Sequence, residues 1–178
     1  MRIIGIDPGF GRLGVAVIDG TIGHVSLVDA CCIETSAHSS FPDRLHDLSR
    51  QFHAVLDSYV PQVAAMEKLF FATNRTTAMH VSEARGVLLL ACAEHGIPVE
   101  EYSPPEVKLA VAGYGDAPKH QVAQMVQHML HRTSSPIPGP DDVLDACAIA
   151  LTHLHRAPLA RMAAIGKTKP LPGRTARP

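Results

Sequence analysis

Apolar residues change rhythm along this chain, and the changes mark its elements. Over residues 2–7 and 13–19 they run or alternate with β-branched content, the pattern of strands. The second run ends in Asp19-Gly20, a pair that favours a hairpin turn, and a third strand is predicted over 24–35. The opening therefore reads as a three-stranded antiparallel meander. The period then lengthens to that of a helix over 42–58, shortens for a strand over Val63–Glu67, lengthens again over 75–95 and shortens over 98–102. Shorter helices are predicted at 104–112 and 119–131, and the proline-rich SSPIPGP leads into a last helix over 140–155. Antiparallel strands followed by strands alternating with helices predict an α/β fold, a mixed sheet with helices on its faces.

The helix over 75–95 breaks the amphipathic pattern, because Gly86–Ala93 is apolar around its whole circumference. One face against a sheet cannot bury all of it. Either a second helix of the chain covers the rest, or a second copy does so in a homodimer.

A length of 178 residues suits one domain with a real core. The expected division is one folded domain over 1–160 and a basic, disordered tail over 161–178. The stretch GKTKPLPGRTARP is too poor in large apolar residues to fold, and Lys167, Lys169, Arg174 and Arg177 make it an electrostatic arm or a solvating tail. The net charge of −1 leaves about −5 on the rest of the chain, so the body is no general binder of polyanions. Its acids are concentrated for another reason. The N-terminal apolar run stops at Asp7-Pro8-Gly9, unlike a signal peptide or a membrane span, and the expectation is a cytoplasmic protein without membrane attachment. Cys31, Cys32, Cys92 and Cys147 form no C-x-x-C pair and read as reduced thiols.

Asp7 ends the first strand where Pro8-Gly9 turns the chain, and Glu67 ends the otherwise apolar strand VAAME. A buried acid is costly unless it is paired or holds a metal. In the last helix Asp142 and Asp145 lie three apart and share a face, with Ala146 and Ala150 small enough for close approach to the sheet; Asp141 with Asp145 satisfies the spacing equally. If the first and fourth strands are neighbours and the last helix crosses them, the acids converge. Two carboxylates about 4 Å apart repel by roughly 4 kcal/mol at an effective dielectric near 20. Oxygen ligands without His or Cys favour Mg²⁺ or Mn²⁺ over zinc, and two such ions clamp a phosphodiester for hydrolysis.

The blocks IGIDPGFGRLGVAVID, MEKLFFATN, EVKLAVAGYGDAPKHQV and PDDVLDACAIALTH, in this order, resemble those of the RuvC family of Holliday-junction resolvases and span most of residues 1–155. The resemblance implies a ribonuclease H-like fold, with a mixed five-stranded sheet and helices on both faces. It implies catalytic, metal-holding acids at Asp7, Glu67, Asp142 and Asp145, and so selects Asp142 over Asp141. It places basic DNA-binding residues at Lys108 and Lys119 and an aromatic junction contact at Phe70, with Phe71 as the core neighbour. Arg75 and Arg85 are further candidates for backbone phosphate. The family's activity is that of a crossover junction endodeoxyribonuclease in DNA recombination and repair. It uses two Mg²⁺ per active site, with Mn²⁺ as substitute, and a homodimer places paired symmetric nicks in a four-way junction. RuvA and RuvB are the implied partner proteins.

Other signals are weaker. Gly9-Phe10-Gly11-Arg12-Leu13-Gly14 fits the dinucleotide fingerprint with Asp29 beyond it, but that fingerprint must open a helix and here a strand follows. His153 and His155 point apart on a helix and read as surface residues. Three rivals remain: a related nuclease that processes RNA, of which the YqgF-like proteins are an example; an actin-like phosphotransferase, which needs a second domain; and an inactive junction-binding module, which would not need all four acids.

Overall fold

The computed structural model describes residues 1–68, 75–132 and 134–167, with side chains up to 157 and not at 75–77. Five strands and five helices follow in the order β1 (Arg2–Asp7), β2 (Arg12–Thr21), β3 (His24–Glu34), α1 (Phe41–Tyr59), β4 (Val63–Glu67), α2 (Arg75–Glu94), β5 (Val99–Tyr102), α3 (Pro104–Ala112), α4 (Lys119–Met129) and α5 (Asp141–Lys167). The sheet order is β3-β2-β1-β4-β5. β1, β2 and β3 pair antiparallel, while β4 runs parallel to β1 and β5 parallel to β4. This is the expected mixed α/β sheet.

Strand alternation divides the core into two layers. Ile4, Ile6, Val15, Val17, Ala64 and Met66 face α1 and α2, whereas Ile3, Ala16, Ile18, Val63 and Ala65 face α3, α4 and α5. In α1 the positions i, i+4 and i+8 hold Leu48, Phe52 and Leu56, all buried on the sheet. Each such side chain contributes about 1.5–3 kcal/mol by leaving water. Ser40 caps this helix by accepting the Asp43 N–H, with proline in the first turn. A loop from 95 to 98 then turns the chain from α2 into β5.

Four expectations need correction. The β2–β3 turn is Ile22-Gly23, not Asp19-Gly20: Asp19 stays in the ladder opposite Arg2, to which it is ion-paired, and Gly23 supplies the positive φ of 87°. The last helix does not stop near 155 but runs to Lys167, across the boundary expected at 160. Good helix formers in RMAA carry it on after the apolar periodicity fades. Residues 168–178, which hold most of the expected tail's charge, lie outside the described residues. His153 is not a surface residue, being 5% exposed, with its Nδ1 2.8 Å from the Tyr102 hydroxyl. A ring nitrogen with a buried partner tolerates a core position that hydropathy alone disfavours. The fourth correction concerns Arg85 and belongs to the site below.

The helix α2 turns Ala84, Leu88, Ala91 and Cys92 inward, but Met79 is 63% and Leu90 60% exposed, and Gly86 and Ala93 lie on the same open side. Among the described residues no helix of this chain covers that row. None of the described helices is long and apolar enough to cross a membrane.

Candidate active site

Asp7 and Glu67 are the last residues of adjacent parallel strands, paired up to Ile6 with Met66, so both carboxylates leave the same end of the sheet. Alternation puts them on the α5 face, in line with Ile3 and Gly5 on β1 and with Val63 and Ala65 on β4. Two glycines then let α5 down onto that face. A Cβ at Gly5 would stand 2.1 Å from the Ala146 carbonyl oxygen, and one at Gly14 would stand 2.0 Å from that of Asp142. No side chain fits at either place. The first turns of α5 thus lie directly on β1 and β2, and Asp142 and Asp145 reach the end of the sheet where Asp7 stands.

A cavity of about 220 Å³ opens there, lined by Asp7, Glu67, Asp145, Lys108 and Lys119 over an apolar floor that includes Val107, Val122 and Ile149. A larger cavity, about 750 Å³, lies beside the edge strand among Met1, Pro98, Glu100, Tyr102 and Arg156. Its Glu106 and Arg156 already neutralise one another at 2.6 Å, and it gathers none of the acids at the sheet end. The chemistry therefore belongs to the smaller cavity.

Crowding shows in the proton affinities. Asp7 is pushed up to about 7, first by burial and then by the charges of Glu67, Asp145 and Asp142, with Lys119 opposing. Glu67 is also raised, by burial and by Asp145. The Lys119 ammonium lies 2.9 Å from Asp145 Oδ2 and 3.4 Å from Asp141 Oδ2, and its own pKa rises through these contacts. Arg12 serves Asp142 in a similar way, with its Nε 3.2 Å from Oδ2. That contact lacks the alignment of a hydrogen bond, and among the described residues the buried Asp142 Oδ2 has no hydrogen-bond partner. Asp141 is 77% exposed, whereas Asp142 is 24% exposed and close enough to raise the Asp7 pKa. Geometry thus separates the two residues that spacing left equal.

These residues fit a divalent cation. The donors are all oxygen, two of the acids are destabilised by mutual charge, and one buried carboxylate oxygen lacks a hydrogen bond among the described residues. Among the described residues no three acids, histidines or cysteines are already grouped as the ligands of one ion, so an ion would have to draw the acids together. The positive charge is supplied instead by Lys119 and Arg12.

Of the expected DNA contacts, Lys108 and Lys119 line the cavity. Phe70 and Phe71 lie outside the described residues, and Arg75 begins α2 without a described side chain. Arg85 is not available to phosphate. Its side chain is 11% exposed, Nη1 donates to the Glu67 backbone oxygen at 2.6 Å, and Nη2 pairs with the Glu101 carboxylate. It lies inward because Glu101, on the α2 face of β5, offers it a counter-charge. Sequence reasoning also missed Arg12 and the two glycines. The signal for Arg12 was present: in a strand it shares a face with Gly14, on which Asp142 sits.

The sequence profile of the family described as "Crossover junction endodeoxyribonuclease RuvC" matches residues 3–153. The crossover junction endodeoxyribonuclease RuvC of Roseiflexus sp. (strain RS-1) is 46% identical over 160 residues, covering 90% of this chain and 94% of that protein. Its counterpart from Thermotoga petrophila is 47% identical over 153 residues, covering 86% and 92%. Among solved structures, T. thermophilus RuvC in complex with Holliday junction substrate superposes with a TM-score of 0.85 at 35% identity, covering 90% of this chain and 96% of that one. The yeast mitochondrial Holliday junction resolvase Ydc2, at 18% identity and a TM-score of 0.65, shares the fold. This chain belongs to the RuvC family of crossover junction endodeoxyribonucleases.

Proposed function

We propose that the protein resolves four-way DNA junctions by hydrolysing one phosphodiester in each of two strands, with Asp7, Glu67, Asp142 and Asp145 holding the divalent ions that the reaction needs. The observation that carries this reading is the convergence of these acids at one end of the sheet, beside Lys108 and Lys119, in a chain of this family. Nucleases of the family are metal-dependent. Mg²⁺, two ions per site, suits the oxygen-only donors, and Mn²⁺ is expected to substitute. When bound, the metal supplies Lewis-acid charge for activating water and for stabilising the leaving oxygen.

The chain's own residues do the rest. Asp142 offers an Oδ2 that Arg12 approaches without a hydrogen bond, and Asp7 must give up the proton that crowding favours. Lys119, 60% exposed at the rim, can turn from Asp145 to a phosphate oxygen, and Lys108 approaches the same cavity from α3. The apolar floor limits water around the reacting phosphate. Phe70 is the proposed contact with unpaired bases at the junction centre, and Arg75 a proposed phosphate contact.

A second copy completes the enzyme in this reading. The exposed row Met79, Gly86, Leu90 and Ala93 on α2 is self-complementary in an isologous dimer, which sets two sites on two strands of like polarity. Cytoplasmic chromosomal DNA is the proposed setting, with RuvA and RuvB as proposed partners.

The test offers the pure protein a labelled four-way junction, a linear duplex and an RNA hairpin, each with Mg²⁺, with Mn²⁺ and with chelator. Paired, ligatable nicks confined to the junction and to the metal-containing reactions are expected. Cleavage of RNA instead, or tight junction binding with no cleavage in either metal, overturns the reading.

A further inference from the structure

We propose that Arg85, held by Glu101, is a positioning residue that sets the Glu67 carboxylate for metal binding and couples the seating of α2 to the active site. The proposal rests on the metal-binding reading of Glu67 given above.

Glu67 is the last residue of β4, and its peptide is gripped from outside the strand. On the β5 side the following residue, Lys68, donates its N–H to the Tyr102 carbonyl at 2.8 Å. On the α2 side the Glu67 carbonyl accepts from Arg85 Nη1 at 2.6 Å, a short, charge-assisted bond. Alternation sends the Glu67 side chain to the opposite face of the sheet, into the α5 cavity. The guanidinium therefore touches neither the cavity nor the reacting atoms. It fixes the peptide from which the carboxylate projects.

Glu101 makes the arrangement stable. It stands opposite Met66 in the β4–β5 register, so its side chain leaves β5 on the α2 face, where it meets Arg85 Nη2. A guanidinium that is 11% exposed needs such a counter-charge, because an unpaired buried cation is strongly unfavourable. One planar fork thus bridges β5, the end of β4 and α2. Lysine cannot reproduce it, since a single ammonium lacks the two parallel donors that reach both acceptors at once. The same helix carries the exposed Met79–Leu90 row outward, so whatever seats α2 also seats Arg85.

The test titrates Mn²⁺ into metal-stripped wild type, Arg85→Lys, Arg85→Gln and Glu101→Gln by calorimetry, with junction affinity measured in chelator and single-turnover cleavage measured in parallel. Arg85→Gln is expected to weaken Mn²⁺ binding and slow cleavage by about 10- to 100-fold, the range for residues that support metal ligands. Arg85→Lys should fall between Gln and wild type, with junction affinity in chelator unchanged in both. Glu101→Gln, which keeps the guanidinium and loses its counter-charge, should move Mn²⁺ affinity in the same direction by less. It also decides the matter should Arg85→Gln fail to fold. Unchanged Mn²⁺ affinity in the folded variants overturns the proposal, and so does a loss confined to junction affinity, which would make Arg85 a DNA contact. Failure of the wild type to cut junctions would count against the proposed function, while the Mn²⁺ titrations would still decide the role of Arg85.

Discussion

A carboxylate pushed up to about 7 by burial and three acidic neighbours shares its proton with solvent at neutral pH, and of the charges around Asp7 Lys119 opposes the shift. Because its folded pKa lies above the ordinary 3.8, the metal-free fold loses stability as pH rises from about 4 through 7. Asp7→Asn escapes that loss. In chelator at pH 8 the variant should be more stable than wild type by on the order of 2 kcal/mol, below the roughly 4 kcal/mol that three pKa units set as a ceiling. The gap should close towards pH 4, as urea melts at both pH values would show. The same variant should bind the junction and fail to cut it; cleavage that persists would remove Asp7 from the site. Glu106 is the opposite case. Hydrogen bonds from the Ser103 backbone N–H and hydroxyl, then Arg156, pull its carboxyl down to about 2 from 4.5. Its contribution is therefore complete above about 4.5 and lost as pH falls towards 2. With the side chain 32% exposed, solvent screening reduces the effect to on the order of 1 kcal/mol. Glu106→Gln should thus melt below wild type at pH 6 and together with it near pH 2.

At the level of elements, the site depends on how closely α5 approaches the sheet. Gly14 has the Asp142 carbonyl where a Cβ would be, so Gly14→Ala must lift the first turn of α5. The expected cost is about 1–3 kcal/mol for overpacking. Single-turnover cleavage should fall further than the melting point suggests, because Asp142 moves with the turn; a variant that cuts at the wild-type rate would show that this contact is not what places the acid. The elements themselves were legible because hydropathy switches period cleanly between strand and helix. The acids at Asp7 and Glu67 were legible because each closes an apolar strand, where a charge needs a reason. Asp142 was not separable from Asp141 by spacing, since both satisfy a helical repeat with Asp145, and only contact with β2 distinguishes them. The turn at Ile22-Gly23 was hidden because Asp19-Gly20 carries the stronger local signal, while the Arg2–Asp19 pairing that keeps it in the ladder is non-local. Arg85 was misread for the same reason: its partner Glu101 is distant in sequence.

For the whole molecule, the distribution of charge and apolar surface decides how one compact α/β unit meets a large polyanion. Asp7, Glu67, Asp142 and Asp145 are gathered where cations are wanted, and Lys108, Lys119 and Arg12 surround them. A single copy of such a site cuts one strand, whereas a junction needs two cuts related by symmetry. The apolar row on the outer side of α2 is where the second copy is expected, because Met79 and Leu90 project there with only Ser82 and Glu83 between them to favour water. Leu90→Glu places a charge in the middle of that row without touching the core, since Leu90 is 60% exposed. Sedimentation at micromolar concentration should give a dimer for wild type and a monomer for the variant, with melting lowered only by loss of association. The monomer should still bind Mn²⁺ but should lose coordinated cleavage, leaving single nicks rather than resolved duplexes. A variant that remains dimeric would place the interface elsewhere on the surface, and paired nicks from a proven monomer would mean that the two cuts are made independently.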